Sequence, residues 1–417
     1  MLVHRVTAEG DAMPATFHRL VVAWAGSLTG DGLRVVALPL LAVSLNPSAT
    51  AVAAVAAAST LPWLLVAIPA GALVDRLDPA KVMATAHLVR AMVTLILVAL
   101  VLTGSATIPL LCLIGFAITS AETFADGSAQ SLLVRVVPHA HLERANARFV
   151  TVETLALDLA GPLAAGVLFV LAPWSPFALS AGCFVAAALT VRTIKSTRPP
   201  DDPAENADRG ASNAVARIRA GLSRLVRDPV LRVLVVTVAI MAIGNAATDA
   251  VLVLYGTQTL AMSEALYPTL LVAYSVGTLL AAVLVGRANS RLRGGQTMMV
   301  ALFGISATML VLGLVPTVAV ALIAFALMGL AGGTWNVLSA ARRQRRTPHS
   351  MVGRVSSAFR VVAWGVIPIG ATLGGVVGER WGVSTVYVAA GFVIAVLGLV
   401  VMRSFLAVEP EEQVVDA

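Results

Sequence analysis

HRLVVAWAGSLTGDGLRVVALPLLAVS, residues 18–44, is the stretch whose reading decides the fold. About 20 apolar residues carry a helix across a bilayer core, and this run is longer. Past Arg19 its ionisable side chains are Asp31 and Arg34, near its middle. A buried soluble helix of this length would need an apolar protein shell all round it. The rest of the chain offers no such shell, only more runs of the same kind.

Those runs fall near 49–74, 82–103, 107–133, 147–172, 175–191, 230–255, 264–286, 296–315, 317–341, 355–378 and 383–403. With the first run they make twelve. Each is long enough to cross as a helix, and the alternation of a membrane β-barrel is absent. Of 417 residues, 58% are hydrophobic and 12% charged, with a mean hydropathy of +0.89. Soluble domains carry about 25% charge, so lipid is the expected solvent. The first run follows a basic start, as a signal peptide would. It is too long for one and leads into eleven more, so it reads as a retained first span.

Net charge is +7, and nearly all the basic residues are arginine, with Lys81 and Lys195 as the lysines. Their placement argues for topology rather than nucleic acid. One set of connections carries Arg76 and Lys81, Arg135 and Arg144, the basic segment 192–228, Arg287, Arg291 and Arg293, then Arg342, Arg343, Arg345, Arg346 and Arg354. The alternate connections near 45–48, 104–106, 172–174, 256–263 and 315–317 have neither Lys nor Arg, and 379–382 has Arg380. The positive-inside rule expects the arginine-rich face, and both termini, on the cytoplasmic side of a bacterial cytoplasmic membrane.

The polar segment STRPPDDPAENADRGAS divides the runs into six and six. The expected organisation is 1–191, a six-helix bundle; 192–229, a cytoplasmic linker; and 230–417, a second bundle with a short tail. Within the linker NAVARIRAGLSRLVRD, 213–228, spaces apolar residues as a helix would, with arginines between them. It is expected to lie on the anionic inner leaflet. At an offset of 210, Pro138, His139, Arg144 and Phe149 match Pro348, His349, Arg354 and Phe359. Duplicated halves are a feature of transporters that rock about a central site.

The ionisable residues inside the spans carry most of the functional information. A charge at the bilayer centre costs about 2.5–3.5 kcal/mol on insertion scales and tends to face a cavity or a partner. Asp31 and Arg34 share a helix face and are expected to pair. Glu122 and Asp126 also share a face. Two carboxylates close together in low dielectric disfavour double ionisation, so the pair suits proton carriage. Asp158 lies mid-depth in the fifth span. Glu153, about 140° around the same helix, is expected to pair elsewhere, with a base such as Arg90; Arg90 alternatively binds an anionic substrate group. Asn245 and Asp249 share a face of the seventh span. Arg360 is shallow and expected to snorkel. Six span acids against three bases suit proton coupling and a cationic or amphipathic substrate. Trp24, Trp63, Trp335 and Trp364 fall within spans, where packing roles are the commoner expectation. Cys112 and Cys183 read as small packing residues.

Several classes are disfavoured. No P-loop or other nucleotide motif occurs, and no metal-ligand spacing of His and Cys. No Ser/His/Asp constellation is evident around Ser27. No cofactor is expected, and the chain reads as a monomer without a nucleic-acid partner.

The loop GALVDRLDPAKV, Gly71–Val82, resembles the signature loop of the major facilitator superfamily through Gly71, Asp75, Arg76 and Lys81. Asp78 and Pro79 depart from that loop's Gly-Arg. The loop GRANSRLRGGQ from Gly286 keeps the glycine and bases and lacks the acid. DLAGPLAAG, Asp158–Gly166, is similar to the Gly-Pro stretch of the superfamily's drug antiporters, through Gly161, Pro162 and Gly166. SLTGDGLRVVALPL, PHAHLERAN and GRVSSAFRVVAWGVIPIGATLGG resemble its macrolide-efflux and enterobactin-exporter branch. The resemblance implies an all-α membrane protein of twelve helices in two pseudo-symmetric bundles. It implies a conformational latch at the Gly71 loop and a kinked fifth span at Gly161. It implies efflux of a small-molecule substrate, coupled to protons. Many superfamily members carry an arginine in the fourth span; this chain has none there, so their proton route does not transfer. A nutrient importer of the same fold, or a non-transporting sensor or scaffold, are the alternatives.

Overall fold

A computed structural model describes residues 13–74, 76–194, 211–288, 294–348 and 351–406. The described chain is helical, without strands. Eleven helical segments are long and apolar enough to cross a membrane. The twelfth crossing, the second in order, is split into α2 (Ala49–Leu65) and α3 (Ala67–Val74).

Proline explains the split. Pro69 has no N–H to give the carbonyl four residues back, so the ladder fails at Leu65 and turns at Val66. The same chemistry recurs twice. Pro162 cannot donate to Asp158, and α6 (Leu142–Glu153) passes through a π-helical stretch, Thr154–Ala160, before α7 (Gly161–Leu171). Pro368 cannot donate to Trp364, and α14 (Val352–Gly365) turns at Val366 into α15 (Ile367–Trp381). The sequence marks the fifth span as kinked, and there it is a π-stretch that does the bending.

The other helices are α1 (Ala15–Leu45), α4 (Pro79–Leu102), α5 (Ile108–Val136), α8 (Ser175–Arg192), α9 (Ala211–Arg227), α10 (Pro229–Ala250), α11 (Thr269–Ala288), α12 (Gly294–Leu314), α13 (Val318–Arg345) and α16 (Val383–Leu406). Their pairings repeat. In the first half α4 packs on α5 and α8, α1 on α7 and α8, and α2 on α5. In the second, α12 packs on α13 and α16, α10 on α15 and α16, and α11 on α13. Each pair in one list has its counterpart in the other, so the two bundles are pseudo-symmetric. The halves meet where α2 lies on α15 and where α7 lies beside α11, again equivalent crossings.

Close crossings are built on glycine. A Cβ on Gly161 would lie 2.6 Å from the Gly32 Cα and 2.8 Å from the Ala156 carbonyl oxygen. Neither atom belongs to a side chain that can rotate away. Gly161→Ala is expected to cost about 1–3 kcal/mol, seen as a lower thermal-unfolding midpoint in detergent. Gly182→Ala is the control: a Cβ there meets nothing within 4 Å, and the midpoint should hold.

Helix α9 packs along one face on the bundles. Its Leu225 is fully buried, and its Gly221 lies directly against the Arg354 carbonyl. Its neighbours are α14, α10 and α3, so protein rather than lipid covers that face. Leu222 and Val226 remain exposed as its apolar surface. Residues 195–210 of the linker lie outside the described residues.

Candidate functional site

Asp31, in the middle of α1, is the hub of a buried charge network in the first bundle. Its Oδ1 accepts a hydrogen bond from Arg34 Nη2 at 3.3 Å, one turn along the same helix. The same oxygen accepts from Arg90 Nη2, brought in by α4. Glu122 of α5 closes the ring: its Oε2 accepts from Arg34 Nη2 at 2.8 Å and lies 4.0 Å from Arg90 Nη2. Two carboxylates and two guanidinium groups thus balance, which is how charges persist away from water. Asp31 is 3% exposed and Arg90 0%.

Beyond the acids, Ser27 and Phe184 hold Arg90 in place, and His87 packs on Phe184. Its Nη1 donates to Ser27 Oγ at 2.9 Å. Its guanidinium carbon sits 4.0 Å above the centre of the Phe184 ring, a cation–π arrangement strengthened by dehydration. His87, one turn before Arg90, stacks parallel on Phe184 at 6.4 Å between ring centres. His87 is fully buried, and neither ring nitrogen has a hydrogen-bond partner. His87 was legible as a neighbour of Arg90 by helical spacing. Nothing in the sequence pointed to Phe184, which lies on a different helix.

The expected Glu153–Arg90 pair is not formed. Arg90 is occupied by Asp31 and Glu122, while Glu153 is exposed at the junction of α6 and the π-stretch. The physical reason is neighbourhood. Helix α4 packs on α5 and α8, whereas α6 and the π-stretch pack on α1. The expected Asp31–Arg34 pair is present, and Arg90 joins it. Asp126 is half-buried one turn from Glu122.

A second site lies between the halves. A cavity of about 480 Å³ is lined by Thr60 of α2, Met241, Asn245 and Asp249 of α10, Trp335 of α13 and Trp364 of α14. Asp249 and Asn245 also face a neighbouring cavity of about 300 Å³, walled by Tyr267, Tyr274, Phe325 and Met328. Asp249 is therefore exposed, but to cavities, and among the described residues no cation pairs with it. Asp158 faces a third cavity of about 300 Å³, which shares Val35, Leu271 and Tyr274 with the second. Asp31 and Glu122 are thus neutralised inside the first bundle, whereas Asp158 and Asp249 line cavities, and Asp126 and Glu153 belong to neither group.

The tryptophans differ in their contacts, and Trp335 both packs and lines the cavity. Trp24 stacks on Phe149 and Trp335 packs edge-on to Phe405, both buried. Trp63 and Trp364 meet edge-to-face at 4.8 Å across the two halves, and Trp364 faces the cavity. Of the Gly71 loop, Arg76 and Lys81 are exposed and Asp75 lies outside the described residues, as does His349 of the repeat. Arg360 is exposed.

Comparison with known proteins agrees with this architecture. The sequence model of the Major Facilitator Superfamily matches residues 20–367 and 250–417. The multidrug efflux pump Tap of Mycolicibacterium fortuitum is 26% identical over 404 residues, spanning 89% of this chain and 91% of its own length. An uncharacterized MFS-type transporter, y4rN of Sinorhizobium fredii, is 28% identical over 393 residues, spanning 91% and 92%. Among solved structures, a substituted form of the nucleoside transporter NupG superposes with a TM-score of 0.77 at 13% identity, covering 94% of this chain and 100% of that one. A bacterial homologue of the iron transporter ferroportin, in an inward-facing state, gives 0.71 at 14% identity, covering 93% and 98%. With two equivalent helical bundles and a family model that matches most of its length, the chain belongs to the Major Facilitator Superfamily and is a transporter of that fold.

Proposed function

We propose that this chain is a proton-coupled exporter of small amphipathic compounds, working by alternating access. The observation that carries the reading is the closed network of Asp31, Arg34, Arg90 and Glu122 in the first bundle, set beside an unpaired Asp249 in an aromatic cavity. A proton landing on Asp31 or Glu122 leaves one guanidinium without its counter-charge in a dry interior. That imbalance is costly, and helix movement that rearranges the partners relieves it. Proton binding is thereby linked to conformation, which is what coupling requires.

Asp249, Asn245 and the surrounding Trp364, Trp335 and Met241 form the cargo side of the scheme. An apolar cavity with a few polar groups suits a drug-sized ligand, and an uncompensated carboxylate favours one bearing a positive charge. The similarity to a multidrug efflux pump supports export, and the arginine-rich loops support cytoplasmic termini in a bacterial cytoplasmic membrane. The binding partners are then cargo, protons and the bilayer, for a chain acting alone.

The test is transport in inverted vesicles with cationic and neutral cargo of similar size. Asp249→Asn should raise KM for the cationic compound about tenfold, the loss of one charge-assisted contact, and leave the neutral one within about twofold. Equal effects on both would reject Asp249 as the cargo anchor. Cargo accumulation that persists after an uncoupler is added would reject proton coupling. A proton-coupled nutrient importer of the same fold is the second reading; the direction of movement in whole cells separates the two.

A further inference from the structure

The face formed by residues 45–48, 172–174, 256–268 and 379–382 is sealed by two crossings related by the pseudo-symmetry. In one, Gly166 of α7 lies against the Glu264 and Ala265 carbonyls and the Pro268 ring. In the other, Gly375 and Gly378 of α15 lie against Ala49 and Ala53 of α2. Both are close-range packing contacts made at glycine. The α2–α15 crossing has an additional polar element.

Glu379 stands in the last turn of α15 and reaches the first turn of α2, in the opposite bundle. Its Oε2 accepts a hydrogen bond from the Thr50 amide at 3.2 Å, and the Ala49 amide and the Ser48 and Thr50 hydroxyls surround the same carboxylate. The first amides of a helix have no partner within the helix. Ser48, the cap that α2 carries itself, serves Ala51 at 3.2 Å. Glu379 therefore completes from one bundle a helix cap that the other bundle leaves incomplete. A carboxylate at the C-terminal end of its own helix opposes that helix's dipole. Its placement is favourable only while the α2 terminus is beside it.

The geometry points to Glu379 as a clasp between the bundles that biases the transporter toward the state closed at this face. When the bundles part here, Glu379 exchanges two partly charged amides for water, while the glycine contacts loosen on both crossings. A contact made in one state and absent from the other is what shifts a conformational equilibrium. The clasp acts on the gate itself, so it operates whatever cargo moves and whether or not protons drive it.

The experiment places spin labels at Leu45, ending α1, and Val315, following α12, both exposed on this face, in full-length protein in nanodiscs. Distances between them report the open and closed populations. Glu379→Ala should raise the open-to-closed ratio roughly fivefold, the scale of a lost helix cap, and Glu379→Gln should raise it less, because the amide oxygen still accepts. Hydrogen exchange at the Thr50 amide should quicken in the same order. Arg380→Gln, the neighbouring exposed residue, should change neither reading. Unchanged distances and unchanged Thr50 exchange in Glu379→Ala would overturn the clasp, and so would an equal shift in Arg380→Gln. Both readings are made without cargo, so a failure of the export reading leaves them standing.

Discussion

Asp31→Asn should abolish proton-driven accumulation in inverted vesicles while leaving the protein expressed and folded. The side chain keeps its shape and its amide oxygen still accepts a hydrogen bond, so the hub is not left as a hole. What changes is charge. Arg90 loses its carboxylate, with Glu122 Oε2 4.0 Å away as the nearest remaining acid and Arg34 still held by it at 2.8 Å. That residual pairing is why folding should survive. The network, however, now carries a permanent excess positive charge, as if Asp31 were always protonated. A transporter fixed in the protonated arrangement cannot complete a proton-driven cycle, so accumulation should fall to the level of vesicles lacking the protein. Exchange of cargo down its own gradient, which needs no proton cycle, should persist. Accumulation at the normal rate would reject Asp31 as a coupling residue.

Arg90→Met is expected to have the largest effect on stability. It removes the partner that Asp31 shares with Ser27 and the cation resting on Phe184. Asp31 is then left with Arg34 at 3.3 Å, in an interior where it is 3% exposed. Breaking one side of a buried ion pair costs about 3–5 kcal/mol, a large part of the stability of most domains. The thermal midpoint and the yield of folded protein should both drop. Asp31→Asn combined with Arg90→Met removes the stranded charge and should recover most of the lost midpoint without restoring transport. A single Arg90→Met variant as stable as the parent would show that the network does not hold the bundle together. A double variant no better than the single one would assign the loss to packing against Phe184 instead of charge.

The crossings were legible because lipid imposes one rule on every span: each backbone amide and carbonyl must be satisfied within its own helix. A long apolar run therefore declares itself without reference to any neighbour. The breaks at Val66 and Val366 were equally available in principle, since Pro69 and Pro368 are visible in the sequence. Only Pro162 was read that way, because it sits between glycines in a recognisable stretch. Even there, a proline announces that the ladder fails and says nothing of how the chain absorbs it. The π-stretch at Thr154–Ala160 that absorbs it lies where Gly32 of α1 packs against this segment.

The site was legible in its parts and not in its pairing. Asp31 pairs with Arg34, and Asn245 and Asp249 line the same cavities, as spacing within one helix leads one to expect. The sequence offers Arg90 either to Glu153 or to an anionic substrate group, and in the structure it belongs to Asp31 and Glu122. Spacing gives the angle between two residues on one helix, but not which neighbour either of them faces. Glu379 escaped the sequence reading altogether. It looks like an ordinary charged residue at a helix end until α2 from the other bundle arrives with its free amides.

The sequence by itself determined a multi-pass helical membrane protein with duplicated halves, and which ionisable residues fall within its apolar runs. These follow from the free energy of moving each segment into hydrocarbon, a sum over local composition. Only the tertiary structure decided which acids are neutralised and which face open space. That depends on helix rotation and on contacts between residues far apart in the chain, where a few ångströms of placement outweigh anything that hydrophobicity along one helix can specify.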